Sequence, residues 1–170
     1  MEPTPKILTV AYDYHQLYVR DGAHELSAEG NDYLDALDAA AESGLSVGSA
    51  SGVVDILKPR QENFFAQLEL SLTGSSPPVI EAADHIVEFG LTSSGRIRLE
   101  GSGGSGEVEI EVPAGHYQAR LSGFDFDAAA SWSYDDPGHP SDHYRLELWP
   151  VGEPGSPTEL KRWAGYADRI

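Results

Sequence analysis

The sequence predicts a mainly β protein, an antiparallel β-sandwich of about eight strands with one short amphipathic helix near residues 31–43. Two observations favour this class. Apolar and polar residues alternate with a period of two in short segments, which Gly, Pro, Ser and Asp separate from one another. A single segment has helical periodicity, which argues against a parallel α/β sheet with its alternating helices. A closed barrel is the alternative architecture.

The expected strands follow this alternation along the chain. In residues 64–73 the even-numbered positions are apolar and the odd-numbered ones are mostly polar, as in a strand with one buried face. The same pattern predicts strands in the segments 7–20, 45–57, 85–91, 116–124, 143–149 and 159–166.

Residues 95–112 predict a β-hairpin whose register is selected by charge. Folding the segment about Gly103 and Gly104 gives the pairs Ile97/Ile110, Leu99/Val108, Arg98/Glu109 and Arg96/Glu111. One face of the hairpin is then apolar, and the other carries ion pairs. A slip of one residue would bury the charged side chains, so the pattern itself favours this register.

The one predicted helix lies between Asn31, a typical N-cap residue, and Gly44, a typical residue after a helix C-terminus. At about 100° per residue, two opposite faces result. The apolar face comprises Tyr33, Leu34, Leu37, Ala40 and Ala41, and the acidic face comprises Asp32, Asp35, Asp38 and Glu42. We therefore expect the helix to dock on its apolar side and to display a row of carboxylates to solvent.

The charge of the chain restricts its function. Its 170 residues include 28 acids against 11 Lys and Arg, a net charge of −17, and no cysteine. Such acidity disfavours direct binding to nucleic acids or anionic membranes, and the lack of cysteine excludes disulfides and thiolate chemistry. The segment 21–57 contains no Lys or Arg, and its acids are Asp21, Glu25, Glu29, Asp32, Asp35, Asp38, Glu42 and Asp55. With no secretory signal or long apolar run, a cytoplasmic location is expected.

Three patterns could indicate a phosphate, zinc or calcium site, but each has low specificity. Gly101, Gly103 and Gly106 match G-x-G-x-x-G, but they lie between two strands and precede glutamates, which is typical of a hairpin loop and unfavourable for phosphate. The loop with His139 and His143 lacks a second ligand pair for zinc. Calcium is a further alternative, with the ligands Asp125, Asp127, Asp135 and Asp136.

Several segments resemble the competence protein J family, the inhibitors of DNA-entry nucleases. They are residues 8–12 (LTVAY), 14–16 (YHQ), the acidic segment 32–44, residues 63–72, residues 85–97 and residues 111–120 (EVPAGHYQAR). The resemblance covers about residues 6–125 and leaves 126–170 outside. It implies a small β-rich protein that binds and blocks a nuclease, but it transfers no inhibitory residue.

From these observations we expect a single domain, residues 1–170, that is not an enzyme and needs no cofactor. It would be an acidic inhibitor or immunity protein whose partner is a basic protein, a nuclease. Carboxylates about 4.5–6 Å apart along a helix approach the spacing of phosphates along a nucleic acid, so they suit a basic nuclease groove. The expected contact residues are Glu29, Asp32, Tyr33, Asp35, Asp38 and Glu42. The alternatives are a calcium-binding module and an enzyme that uses His15 or His139.

Overall fold

The computed structural model describes residues 5–12, 14–59, 64–102 and 106–166, and within these it contains eleven strands and two α-helices. The strands are β1 (Lys6–Tyr12), β2 (Gln16–Asp21), β3 (Val47–Ala50), β4 (Val53–Leu57), β5 (Phe64–Leu72), β6 (His85–Ser93), β7 (Arg96–Glu100), β8 (Val108–Glu111), β9 (Gly115–Phe124), β10 (His143–Pro150) and β11 (Thr158–Lys161). The helices are α1 (Asp32–Ser43) and α2 (Phe126–Ser131), and a 3-10 turn spans Ala164–Tyr166. The predicted class, mainly β, is confirmed.

The strands form two sheets. The six-stranded sheet has the order β1-β5-β10-β9-β6-β11, and the five-stranded sheet has the order β3-β4-β2-β7-β8. The prediction of purely antiparallel pairing is wrong at one place, because β10 pairs in parallel with β5. The reason lies in the topology: β10 returns antiparallel to β9 and is inserted between β9 and β5.

The structure has more strands than the predicted number of about eight, because two of the nine predicted strand segments each contain a turn that divides them into two strands. The segment 7–20 turns at Tyr14 and His15, whose φ angles are 47° and 65°, and β1 and β2 thereby enter different sheets. The segment 45–57 turns at Ser51 and Gly52, with φ angles of 51° and 76°. Two consecutive residues in the left-handed region reverse a chain within two positions, so the alternation continues almost without a break in the sequence.

The predicted hairpin is confirmed, with every predicted pair in register between β7 and β8. Its tip, residues 103–105, lies outside the described residues. One ion pair differs from the prediction. Arg96 stands opposite Glu111, but its guanidinium lies 3.3 Å from a carboxylate oxygen of Glu109 instead.

Both sheets contribute side chains to one hydrophobic core. Val19 and Leu99 of the five-stranded sheet and Leu68, Phe89 and Leu146 of the six-stranded sheet are fully buried in the same cluster. Leu146 belongs to β10, an interior strand, so the chain beyond residue 125 is an integral part of this core. None of the helices in the described ranges is long and apolar enough to cross a membrane.

Candidate partner-binding surface

The helix α1 begins and ends where the sequence predicts. Asn31 occupies the N-cap position, and Gly44 follows the last turn with a φ of 68°, where its amide donates to the carbonyl of Ala41. Glycine adopts this left-handed conformation without the steric cost of a side chain. Arg162, which follows β11, donates from Nη1 to the Gly44 carbonyl (2.9 Å). This contact places a cation at the negative end of the helix.

The helix is rotated relative to the prediction, and this changes which residues are displayed. Its buried residues are Asp32, Ala36 and Ala40, whereas Leu34 is 55% exposed and Ala41 is exposed as well. The expected apolar face was therefore wrong at Leu34 and Ala41. Small side chains pack here because the helix lies very close to β3: a Cβ at Gly48 would come within 3.0 Å of the Ala36 carbonyl and the Ala40 amide.

Asp32 does not belong to the displayed row of carboxylates. It is 6% exposed, and its Oδ2 accepts a hydrogen bond from the backbone amide of Ser27. It therefore holds the loop that precedes the helix. Glu29 lies in that loop and is exposed.

Tyr33 is also used inside the protein. Its hydroxyl donates to Oε1 of the buried Glu100 (2.6 Å), and its ring packs edge-on against Tyr18 at 4.7 Å. The Nε of Arg20 donates to the same Glu100 oxygen at 2.6 Å. Burial and the Glu100 carboxylate raise the pKa of Tyr33 to about 12. Tyr33 thus fastens α1 to β2 and β7.

The remaining acids of α1, Asp35, Asp38 and Glu42, are exposed and share one side of the helix; we call them the acidic stripe. Successive members lie about 4.5 and 6 Å apart along the helix axis. Asp35 accepts a hydrogen bond from the Ser51 hydroxyl (2.8 Å). No ion pair among residues with described side chains involves the acidic stripe, so none of the cations described neutralises its negative potential.

In contrast to the acidic stripe, Glu107 and Glu109 of the β7–β8 hairpin form ion pairs with arginines. Arg98 lies 2.9 Å from Glu109 and 3.5 Å from Glu107, and these contacts and Arg96 hold the pKa of the Glu109 carboxyl below its usual range. Arg20 approaches Glu107 as well, at 3.8 Å. Glu107 and Glu109 are thus paired with arginines, whereas the three exposed acids of α1 have no ion-pair partner among the residues that the structure describes.

A second carboxylate lies beneath this helix. Asp55 of β4 is 1% exposed and stands between Tyr18 of β2 and Gly48 of β3, on the side of the sheet that α1 covers. Its Oδ1 has no hydrogen-bond partner among the described atoms. Burial raises the pKa of Asp55 to about 7, although the Lys58 ammonium opposes this increase. The buried ammonium of Lys58 lies 3.9 Å from the centre of the Tyr144 ring.

The candidate calcium and zinc ligands are not brought together within the residues that the structure describes. No group of three or more His, Asp or Glu side chains able to hold a metal exists within the described part of the chain. The four candidate aspartates have separate roles: Asp127 accepts from the Trp163 indole (2.7 Å), Asp136 accepts from the Ser133 amide, and Asp125 approaches His143 at 3.7 Å. Asp135 is exposed.

The two candidate imidazoles have different surroundings. His15 lies with Nδ1 at 3.0 Å from the Lys58 carbonyl, and Asp13, two residues before it, lies outside the described residues. His139 lines an open groove beside Thr9 and Phe65. A third imidazole, His85 of β6, is buried and hydrogen-bonded on both ring nitrogens, and the sequence analysis did not single it out.

His85 forms a buried network that joins the two sheets. Its Nδ1 accepts from the Trp163 amide (3.2 Å), so Nε2 carries the proton and donates to the Ser46 hydroxyl (2.7 Å), which in turn donates to Glu159 (2.6 Å). Burial lowers the pKa of His85 to about 4. The serine proton points to the glutamate and not to the imidazole, so His85 does not activate Ser46 as a nucleophile.

Comparison with known proteins gives two structural neighbours. No family model and no curated protein matches the sequence. The crystal structure of ComJ from Bacillus subtilis, inhibitor of the DNA-degrading activity of NucA, aligns with a TM-score of 0.60 at 18% identity, over 89% of this chain and 99% of that chain. The two chains share a fold. The structure named crocagin biosynthetic gene J aligns with a TM-score of 0.57 at 15% identity, over 88% and 98%.

The resemblance predicted from short segments is thereby confirmed, and its extent is corrected. The sequence segments covered about residues 6–125, whereas the structural likeness spans almost nine-tenths of the chain. A coverage of 89% cannot be reached without part of residues 126–170, and β10 of this part lies inside the six-stranded sheet.

Proposed function

We propose that this protein inhibits a DNA-degrading nuclease by covering a basic groove of the enzyme, and that it has no catalytic activity of its own. The observation that carries this proposal is the fold shared with ComJ, an inhibitor of the nuclease NucA. The two sheets around one core fit the predicted β-sandwich as the scaffold of such an inhibitor.

The acidic stripe is the part of the surface that suits this role best. Asp35, Asp38 and Glu42 are exposed, lie on one side of a rigid helix and have no cationic partner in the described chain. Like charges three and four residues apart destabilise a helix by a few tenths of a kcal/mol each. A row of carboxylates that carries this cost and is not neutralised internally fits a cationic partner that neutralises it on binding.

Contacts on the buried side of α1 fix the orientation of the acidic stripe. Ala36 and Ala40 rest on Gly48, and Tyr33 is hydrogen-bonded to Glu100, so the helix has little freedom to turn about its axis. Preorganised charges bind with a smaller loss of conformational entropy than charges on a mobile loop. We therefore reduce the expected contact set to Glu29 and the acidic stripe, and assign Asp32 and Tyr33 to positioning α1.

An inhibition assay tests the proposal. The purified protein is titrated into a DNA-cleavage reaction of NucA and of any nuclease encoded beside its own gene. A triple variant (Asp35→Asn, Asp38→Asn, Glu42→Gln) is expected to inhibit roughly tenfold more weakly, since three charge contacts of about 0.5 kcal/mol each sum to about 1.5 kcal/mol.

A matched control separates local from global charge. The variant with Glu81→Gln, Glu111→Gln and Glu153→Gln alters three exposed glutamates outside α1 and removes the same number of charges. It should inhibit like the wild type. Equal inhibition by both triple variants would remove the acidic stripe from the account, and no inhibition of either nuclease by the wild type would contradict the proposed function itself.

A further inference from the structure

A cleft of about 350 Å³ is lined by residues of both sheets. The five-stranded sheet contributes side chains of β2, β3 and β4, and the six-stranded sheet contributes β6, while the loops after β2 and β10 complete the walls. The volume is at the lower end of the range for ligand sites, so the cleft suits a single side chain better than a larger ligand. Its lining includes Asp21, His24, Ser49, Val54, Leu91 and Thr92.

Part of the cleft wall is apolar. Val54 and Leu91 are buried members of the hydrophobic core, and Pro154 adds a third apolar surface. Apolar surfaces of this kind pack against the methylene groups of long charged side chains, whose charged ends stay in a polar environment.

Asp21 of β2 provides a negative charge in the same cleft. Its Oδ1 accepts hydrogen bonds from the amide and the hydroxyl of Ser94, at 2.8 and 2.9 Å, and these two bonds fix the carboxylate. Among the residues that the structure describes, none donates to its Oδ2 and none forms an ion pair with it. The adjacent Arg20 is paired with the buried Glu100 instead. The second carboxylate oxygen of Asp21 can therefore accept from a cation that enters the cleft.

The imidazole of His24 forms one side of the cleft and is held in place. Its backbone amide donates to the Asp21 carbonyl (3.1 Å), and its carbonyl accepts from Nη1 of Arg20 (3.0 Å). The ring packs on Gly52, where a Cβ would lie 2.6 Å from Cε1 of His24. The cleft thus has its shape before a partner binds, which lowers the entropic cost of binding.

The cleft borders the acidic stripe. Ser51 precedes Gly52 of the cleft wall in the turn between β3 and β4, and its hydroxyl donates to Oδ2 of Asp35 (2.8 Å). The segment 21–57, which includes α1 and this turn, contains no Lys or Arg. A cationic protein that covers the acidic stripe therefore meets the cleft beside Asp35.

From these observations we propose that the cleft receives one arginine side chain of the nuclease, with its methylene groups against Val54 and Leu91 and its guanidinium on Asp21. Arginine fits better than lysine, because its planar group donates five hydrogen bonds in a fixed fork, and the hydroxyls of Ser49 and Thr92 line the cleft together with the carboxylate. The source of the arginine rests on the proposed function, whereas the cleft belongs to this chain alone.

Asp21→Asn tests the proposal in the inhibition assay. The asparagine keeps an oxygen for the hydrogen bonds from Ser94 and removes the charge. We expect inhibition to weaken roughly tenfold or more, the size of a lost hydrogen bond between charged groups. The control Asp135→Asn, which removes one exposed charge outside the cleft, should inhibit like the wild type.

Replacement of each arginine of the nuclease by alanine identifies the partner residue. One replacement should abolish the difference between Asp21→Asn and the wild type, as expected for two residues in direct contact. Equal inhibition by Asp21→Asn and the wild type would overturn the proposal and leave the proposed function standing.

Agmatine, a guanidinium on a four-carbon amine, tests the cleft without a nuclease. At about 0.15 M salt, where exposed charges are screened, millimolar agmatine should shift the amide NMR signals of Asp21, His24 and Thr92, and Asp21→Asn should lose these shifts. Putrescine, with an ammonium in place of the guanidinium, should shift them less. No shift with agmatine, or equal shifts with putrescine, would overturn the proposal. Agmatine binding by a wild type that inhibits no nuclease would refute the proposed function and the nuclease as the source of the arginine.

Discussion

The buried carboxyl of Asp55 gives the structure a pH dependence that a single substitution should remove. Asp55 is 1% exposed beneath α1, and its Oδ1 has no hydrogen-bond partner among the described atoms. Burial raises its pKa from 3.8 to about 7. The folded state therefore binds this proton more tightly than the unfolded chain does, so stability is lost as the pH rises from about 4 to about 7.

The size of the effect follows from the pKa. Between about pH 5.5 and about pH 8.5, a carboxyl with a folded pKa near 7 and an unfolded pKa near 4 changes the free energy of unfolding by roughly 2 kcal/mol. This window stays above the sequence pI of about 4.5, where a protein of low net charge precipitates. Asp55→Asn keeps the shape of the side chain and removes the titration.

Urea denaturation of both proteins at the two pH values provides the measurement. We expect Asp55→Asn to gain roughly 2 kcal/mol relative to the wild type on going from about pH 5.5 to about pH 8.5. Any packing cost of the asparagine is independent of pH and cancels in this difference. The titration of His85 is common to both proteins and cancels as well. Parallel pH profiles for the two proteins would refute the assignment of a raised pKa to Asp55.

Three further outcomes concern stability. Gly48→Ala should destabilise by roughly 1–3 kcal/mol, because its Cβ would displace α1 at the Ala36 carbonyl, while Gly74→Ala, with no atom within 4 Å, should have little effect in the same urea titration. Ser46→Ala should cost roughly 1–3 kcal/mol in urea, because it leaves His85 and Glu159 without their shared partner. The triple variant of the acidic stripe should unfold at a higher temperature than the wild type, because its like charges are removed; a lower melting temperature would mean that weaker inhibition reflects unfolding.

Local signals in the sequence predicted local structure well. The β7–β8 hairpin was predictable in register, because a shift of one residue would have exchanged isoleucines for arginines. The C-terminal end of α1 was predictable because Gly44 adopts the left-handed conformation, whereas Asn31 lies at the N-cap position without a capping hydrogen bond from its side chain. The rotation of α1 about its axis was not predictable from the sequence. Hydrophobicity alone favoured burial of Leu34, whereas Ala36 and Ala40 face β3, because Gly48 permits close approach of the helix.

The parts that escaped prediction depend on distant residues. Ser46, His85 and Glu159 come from three separate regions of the chain and meet only in the folded protein. Their hydrogen-bonded network therefore leaves no spacing pattern in the sequence. The buried state of Asp55 has the same origin, because α1 covers it from elsewhere in the sequence. The position of β10 between β5 and β9 is likewise set by the packing of the whole sheet.

The proposed function requires that the acidic stripe steers this protein onto a cationic nuclease. The most direct test is the association rate constant with the inhibited nuclease, measured by stopped flow at increasing ionic strength. We expect the wild type and the glutamate control to associate fastest at low salt and to slow steeply as salt screens the charges, and the triple variant of Asp35, Asp38 and Glu42 to associate more slowly with a shallower salt dependence. Identical rates and identical salt dependence for all three proteins would contradict the claim.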